Sequence, residues 1–194
     1  MDDLFARYMY FIRAKRDNNK SSTTESLRKF YERDKYSILK QNSTFDDLKD
    51  LAQFWEDIVD QNSERFSKNI LRKLFTLNYA PNSMWNYFIS VYYMANRNKN
   101  GDLNAKEFEI FLDRTIAFIW GYAIIHPGVN ALRTPLFAEM LNIVNLNEVT
   151  FSEFKFNKEK TRSAIVIYDF KNGRPITKSM LALSIMLNNE QALS

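Results

Sequence analysis

Apolar residues recur along most of this chain at intervals of three and four positions, the spacing that places them on one face of an α-helix. The clearest run lies within 44–62 and consists of Leu48, Leu51, Ala52, Trp55, Ile58 and Val59. A second run, within 63–78, consists of Phe66, Ile70, Leu71, Leu74 and Phe75. The pattern predicts an amphipathic helix in each segment, with these residues facing a core and with Thr44 and Ser63 as N-terminal caps.

The segment 104–135 departs from this pattern because its apolar residues spread around the whole helix. No Lys, Arg, Asp or Glu occurs between Thr115 and Leu132, and such a helix belongs in the middle of a domain or in a membrane. Its strictly apolar part, 116–125, is shorter than the roughly 20 residues that span a bilayer, and Pro127 ends it. We therefore predict a buried central helix at about 104–126.

Weaker signals predict further helices before and after the central one. Their predicted caps are Ser22 with Glu25 in a capping box, Asn82 or Ser83, Thr134 before Pro135, and Thr177. The segment 146–156 fits either a short extended stretch or a single helical turn. We predict a helix at 157–168, but β-branched Ile165 to Ile167 and the turn signal of Asn172 with Gly173 leave a β-hairpin as the alternative.

Together these elements predict an all-α protein, a compact multi-helix domain around the central helix. A small hairpin or irregular segment is allowed near 148–172. We interpret 1–194 as a single helical domain, with 146–194 the less certain C-terminal part. The aromatic helix within 1–20 is unusually apolar for a first element. We therefore expect the chain to be a fragment of a larger protein, with this helix docking to a missing upstream domain or forming a dimer.

Composition narrows the function classes. The 194 residues include no Cys and a single His, which excludes a disulfide, a thiol nucleophile and a multi-histidine metal site. A net charge of +4 permits nucleic-acid binding without requiring it. No export signal is visible, and we expect a cytoplasmic protein without a membrane span. No cofactor is predicted, because the sequence contains no Gly-rich phosphate loop or other cofactor motif.

The segment 96–107 matches the calcium-binding EF-hand loop at several positions. The matching residues are Asn96, Asn98, Asn100, Gly101, Asp102, Leu103 and Glu107. Alternate side chains of such a loop converge on the ion, but here Glu107 is the only carboxylate side chain in the coordinating set. A polar connection between helices, in which Gly101 turns the chain and Asn104 caps the next helix, explains the same residues.

Three further groups could carry function. Arg65, Lys68, Arg72 and Lys73 lie on the polar side of one predicted helix and could contact DNA phosphates, although a solvated face looks the same in sequence. Asn130 and Arg133 follow the central helix, where a guanidinium could clamp an anion or could bind the core's own carbonyls. His126 could act in acid–base chemistry, but packing at a helix end explains it more simply.

Several runs of residues resemble, in the same order, the helical middle region of the GmrSD restriction endonuclease family. These runs are FARYMYFIRAK, TTESLRKFYE, FWEDI, LRKLFTLNYAPNSMWNYFISVYYM, FIWGYAIIHPGVNALRTPLFAEM, FSEFKF and NGRPITKSML, within Phe5 to Leu181. The family combines a nucleotide-hydrolysing domain carrying an Asp-Gly-Gln-Gln-Arg motif, a helical region and a His-metal nuclease. This chain carries neither of the two active-site motifs, so no catalytic residue is assigned.

The resemblance implies a non-catalytic domain of a bacterial defence enzyme that couples nucleotide sensing to cleavage of modified phage DNA. Its partners would be the neighbouring domains and, through Arg65, Lys68, Arg72 and Lys73, the DNA backbone. A calcium-binding module built on 96–107 and a stand-alone protein interaction domain are the alternatives. The parent protein would be an endonuclease, whereas this chain by itself is not expected to be an enzyme.

Overall fold

A computed structural model of the chain describes residues 2–17, 25–126, 128, 130–152, 154–167 and 175–191. Within these residues the chain forms nine α-helices and a π-helical segment, with no strand. In order they are α1 (Asp2–Ile12), the π-helical Arg13–Asp17, α2 (Leu27–Tyr36), α3 (Asn42–Val59), α4 (Lys68–Leu77), α5 (Met84–Asn96), α6 (Ala105–Ile125), α7 (Arg133–Val144), α8 (Lys158–Ile167) and α9 (Pro175–Gln191). The predicted all-α class is confirmed. No helix in these described ranges combines the length and the apolar composition that a bilayer span requires.

The chain divides into two compact units, each built from three separate segments. Unit 1 comprises Met1–Asn62, Asn86–Asn104 and Leu136–Thr150. Unit 2 comprises Ser63–Trp85, Ala105–Pro135 and Phe151–Ser194. That the whole chain forms a single helical domain stays a prediction.

Helix α6 is the core of unit 2, as the charge-free segment predicts. Ten of its 21 residues are buried. Trp120 Nε1 donates a hydrogen bond of 3.0 Å to the Ser179 carbonyl oxygen of α9. The Phe118 ring stacks on that of Phe151, with 4.2 Å between centroids. A Cβ on Gly121 would lie 3.1 Å from the Phe154 ring, which explains why a glycine interrupts the apolar run.

Helix α1 belongs to the core of unit 1. Its residues Tyr8, Met9, Tyr10 and Phe11 are all buried. The Tyr10 ring stacks on the Tyr87 ring of α5, with 4.4 Å between centroids. These four side chains are therefore covered within unit 1, whereas the other apolar residues of α1 are partly exposed. Docking and dimerisation stay predictions.

Several predicted caps are wrong, because these helices start at other residues than the sequence indicated. Ser67 rather than Ser63 caps α4, where its Oγ accepts a hydrogen bond from the Ile70 amide. Thr44 lies inside α3, buried, and its hydroxyl donates to the Ile38 carbonyl oxygen at 2.6 Å.

The other caps divide between corrections and one confirmation. Ser26 caps α2, whereas the predicted Ser22 lies outside the described residues. Thr134 and Thr177 lie inside helices that start earlier, at Arg133 and at Pro175. A proline such as Pro175 suits the first helical position. Asn82 is confirmed as the side chain that precedes α5, because its Oδ1 accepts a hydrogen bond of 3.0 Å from the Met84 amide.

Three predicted core positions face outward. Ala52 is exposed, beside the buried face of α3. Val59 and Phe75 are 76% and 49% exposed, because Val59 is the last residue of α3 and because the apolar stripe of α4 is wider than its buried face. Towards the C-terminus, helix α8 confirms the predicted helix rather than the hairpin for Lys158–Ile167. The described residues between α7 and α8 from 147 to 157 form no helix. The predicted turn at Asn172 and Gly173 lies outside the described residues.

Candidate functional site

Lys73 is a buried ammonium held between two carboxylates of the neighbouring helix. Only 4% of the residue is exposed, and its Nζ donates hydrogen bonds of 3.0 Å to Glu109 and 2.9 Å to Asp113 on α6. Burial lowers the pKa of Lys73, but the hydrogen bonds and charges of Asp113 and Glu109 outweigh this effect and raise the pKa above its usual value. The prediction that Lys73 faces solvent beside the other basic residues is wrong. Its charge is used to join α4 to α6.

The other three predicted DNA contacts remain accessible to solvent at the start of α4. Lys68 is exposed at the first position of the helix, and Arg72 follows one turn later, partly exposed. Arg65 lies in the preceding turn, with its guanidinium 5.7 Å from the centre of the Phe66 ring. Helix α4 contains no acidic residue, so no carboxylate of this helix neutralises Lys68 or Arg72.

An apolar groove runs along α4 and α9 in unit 2, with a volume of about 210 Å³. Both helices present residues at the i, i+3, i+4, i+7 spacing of one helical face. The row along α4 is Arg72, Phe75 and Thr76, continued by Tyr79 two residues after the end of the helix. The row on α9 is Lys178, Leu181, Ala182, Ile185 and Met186. The sequence pattern did not predict this groove, because Phe75 was expected in the core. The signal that could have found it is the apolar stripe of α4, which is wider than one neighbouring helix covers.

The EF-hand-like residues of unit 1 form a tight turn. Asn98 Oδ1 accepts hydrogen bonds from the amides of Asn100 and Asp102, at 2.8 and 2.9 Å. Gly101 adopts a φ of 81°, which a residue with a Cβ disfavours. Asn96 Nδ2 donates to the Tyr92 carbonyl oxygen in the preceding turn of α5.

These hydrogen bonds and the φ of Gly101 are those of a polar turn that connects two helices. Glu107 lies exposed in the first turn of α6. In the described part of the chain no three His, Cys, Asp or Glu residues cluster as metal ligands would. Calcium binding stays a prediction, and calorimetry with millimolar calcium would test it.

The residues after α6 contact one another in unit 2. Arg133 Nη2 donates a hydrogen bond of 3.2 Å to Asn130 Oδ1, so the two predicted members of the anion clamp are brought together. Asn130 is exposed and Arg133 is partly exposed. His126 is exposed, and its ring lies 4.4 Å from that of Tyr122, one turn earlier. The contact with Tyr122 is compatible with packing at the helix end. Acid–base chemistry by His126 and anion binding by Arg133 stay predictions.

A polar cluster in unit 1 was not predicted. The Tyr8 hydroxyl donates to Asp47 Oδ2 at 2.8 Å, and Arg97 bonds both Asp47 and Asp50. Burial raises the pKa of Tyr8 well above its usual 10, and a similar burial raises the pKa of Tyr31. The cluster joins α1, α3 and the end of α5. Its partners are 39 to 50 residues apart in sequence, so local spacing gave no signal.

No protein-family model, curated protein or solved structure matches this chain.

Proposed function

We propose that this chain is a non-catalytic helical domain that couples nucleotide sensing to DNA cleavage in a bacterial restriction endonuclease of the GmrSD type. It would act in the cytoplasm between two catalytic domains. The proposal rests on the order of the family-like runs between Phe5 and Leu181. What supports a mechanical role is the bond of Lys73 to Glu109 and Asp113, because a paired charge that joins two helices holds their relative position.

The complete open reading frame provides the first test. An Asp-Gly-Gln-Gln-Arg motif upstream and a His-metal nuclease motif downstream are expected. If both motifs are absent, the coupling proposal is wrong and a stand-alone interaction domain becomes the better hypothesis.

The second test loosens the bond between α4 and α6 in the intact protein. Glu109→Gln with Asp113→Asn leaves Lys73 without a carboxylate partner. Nucleotide hydrolysis and basal DNA cleavage should persist, whereas the stimulation of cleavage by nucleotide should fall. Lys106→Met, an exposed position on α6, is the matched control and should leave the stimulation unchanged. Unchanged stimulation in the double variant would argue against coupling through this pair.

A second candidate function is contact with the DNA backbone. It is favoured by the three accessible cations Arg65, Lys68 and Arg72, of which Lys68 and Arg72 lie on a helix without acidic residues. Lys and Arg side chains that approach phosphates release condensed counterions, so binding should be independent of sequence and should weaken steeply with salt. With three contacts, the logarithm of the affinity should fall with the logarithm of salt concentration with a slope of about −2 to −3.

Fluorescence anisotropy with labelled duplex DNA measures this contact. Lys68→Glu should weaken binding and make the salt dependence shallower by about one unit of slope. Lys106→Glu carries the same charge change at an exposed position on α6 and serves as the control. Equal losses in the two variants would show a general charge effect. If the unsubstituted chain does not bind DNA even at low salt, contact with the DNA backbone is not its function.

A further inference from the structure

We propose that the groove between α4 and α9 binds an amphipathic helix that carries carboxylates beside its apolar stripe. The groove has a buried floor and exposed walls. Thr76 and Met186 are 2% and 5% exposed and form the floor. The walls are Phe75, Leu181 and Ile185, which are 49%, 62% and 55% exposed. Exposed apolar side chains on this scale, grouped in one concave surface, mark a contact site.

The size of the groove favours side chains of a partner helix over a small molecule. Its volume of about 210 Å³ is below the range of about 300–1,000 Å³ that is usual for small-molecule pockets. The groove also lies along two helices whose apolar rows follow helical spacing. A helix laid into such a groove inserts residues at i, i+3, i+4 and i+7, so the periodicity of the two surfaces matches.

The charge at the rim selects the partner. Arg72 lines the groove on α4 and Lys178 lines it on α9, and none of the residues that line the groove is acidic. Lys68 precedes Arg72 by one turn on the same face of α4 and is exposed. A partner with Glu or Asp beside its apolar stripe would meet these cations, whereas a partner with Lys or Arg there would be repelled.

The inference does not rest on the proposed coupling function, because it depends only on the composition and shape of the groove. The experiment uses the whole chain and a labelled synthetic helical peptide. The peptide has leucines at i, i+3, i+4 and i+7 and glutamates on both flanks. A second peptide keeps the leucines and has lysines on the flanks. Binding is measured by fluorescence anisotropy at low and at high salt, and the acidic peptide should bind more tightly, with a difference that shrinks as salt rises.

Two substitutions locate the site. Ile185→Glu places a charge among the apolar wall residues and should lower the affinity for the acidic peptide by about tenfold or more. Val166→Glu is the matched control, because Val166 on α8 is 78% exposed and does not line the groove. Lys178→Glu should lower the affinity for the acidic peptide by about threefold and should raise the affinity for the basic peptide. This opposite effect on two peptides cannot arise from a loss of folding, and circular dichroism confirms the helix content of each variant.

Several results would overturn the inference. One is equal binding of the two peptides, or tighter binding of the basic one. Another is an equal loss of affinity in Ile185→Glu and Val166→Glu. A third is binding to vesicles of phosphatidylserine that Ile185→Glu abolishes, without binding of the acidic peptide, which would assign the groove to a lipid surface. Self-association of the chain that Ile185→Glu abolishes, again without peptide binding, would assign the groove to a second copy.

Discussion

At the scale of single residues, Lys73 gives the sharpest stability prediction. Lys73→Met keeps the length of the side chain and removes the charge that Glu109 and Asp113 share. Both carboxylates are partly exposed and can be rehydrated, so we expect a loss of about 2 kcal/mol in the free energy of unfolding, below the usual 3–5 kcal/mol for breaking a buried pair. Urea denaturation followed by circular dichroism measures it.

The control for this prediction is Lys68→Met on the exposed side of the same helix. Its effect should stay within about 0.5 kcal/mol, as is usual for surface positions. Equal effects of the two substitutions would show that the pairing of Lys73 contributes little.

Buried tyrosines predict a loss of stability at alkaline pH. Burial raises the pKa of Tyr8 and Tyr31 above the usual 10, so in the unfolded chain they lose their protons at a lower pH than in the folded chain. Their contribution is therefore complete below about pH 10 and falls as pH rises further, by up to about 1.4 kcal/mol per pH unit for each group. Lys73, whose pKa is also raised, changes stability in the same direction.

Urea denaturation at a series of pH values above 9 tests the sign and the source of this dependence. Tyr8→Phe removes one titrating group and should make the decline shallower, whatever it does to stability at neutral pH. A stability that stays constant or rises between pH 9 and 11, or an unchanged slope in Tyr8→Phe, would contradict the prediction.

The burial of Lys73 could be predicted from the sequence only in part. Lys73 lies between Ile70, Leu74 and Leu77 on the apolar face of α4, so its position could have been derived from periodicity. Its two partners could not, because Glu109 and Asp113 lie 36 and 40 residues further along the chain. Residue identity alone suggests a solvated lysine, and only the packing of α4 against α6 supplies the compensating carboxylates.

At the scale of elements, the start of α4 offers a comparison between two serines. Ser67 Oγ accepts a hydrogen bond from the Ile70 amide, whereas Ser63 lies in a turn before the helix. Ser67→Ala should lower the free energy of unfolding by about 1 kcal/mol, because an amide of the first turn loses its partner. Ser63→Ala should have almost no effect, and thermal denaturation compares the two. A larger effect at Ser63 would restore the cap that the sequence alone predicted.

Helices with strong periodicity or a long apolar stretch could be predicted, whereas most of their N-terminal caps could not. Helix α6 lies at Ala105–Ile125, within one residue of the expected bounds, because a charge-free segment is stabilised by burial between other helices. Helix ends depend on which of several nearby Ser and Thr hydroxyls reaches an amide. The groove was missed for a related reason, since the pattern of α4 identifies apolar residues without saying how many of them a neighbour covers.

At the scale of the whole molecule, the division into two units is the feature that the sequence predicts least. Each unit takes residues from three separated segments, so no change in composition or linker marks the boundary. Long-range contacts decide it, and these are not encoded in local periodicity. An unfolding measurement tests whether the two compact units behave as the single domain that the sequence predicts.

Truncation after Thr150 provides that measurement. The shortened chain keeps all three segments of unit 1 and loses 151–194 of unit 2. With them go the Ser179 carbonyl that Trp120 binds and the Phe151 ring that stacks on Phe118. If the units are independently stable, amide hydrogen exchange should stay slow in α1 and α3 and become fast in α6. Fast exchange throughout would show that the units unfold together as one domain, and slow exchange in α6 would show that unit 2 does not need its last two helices.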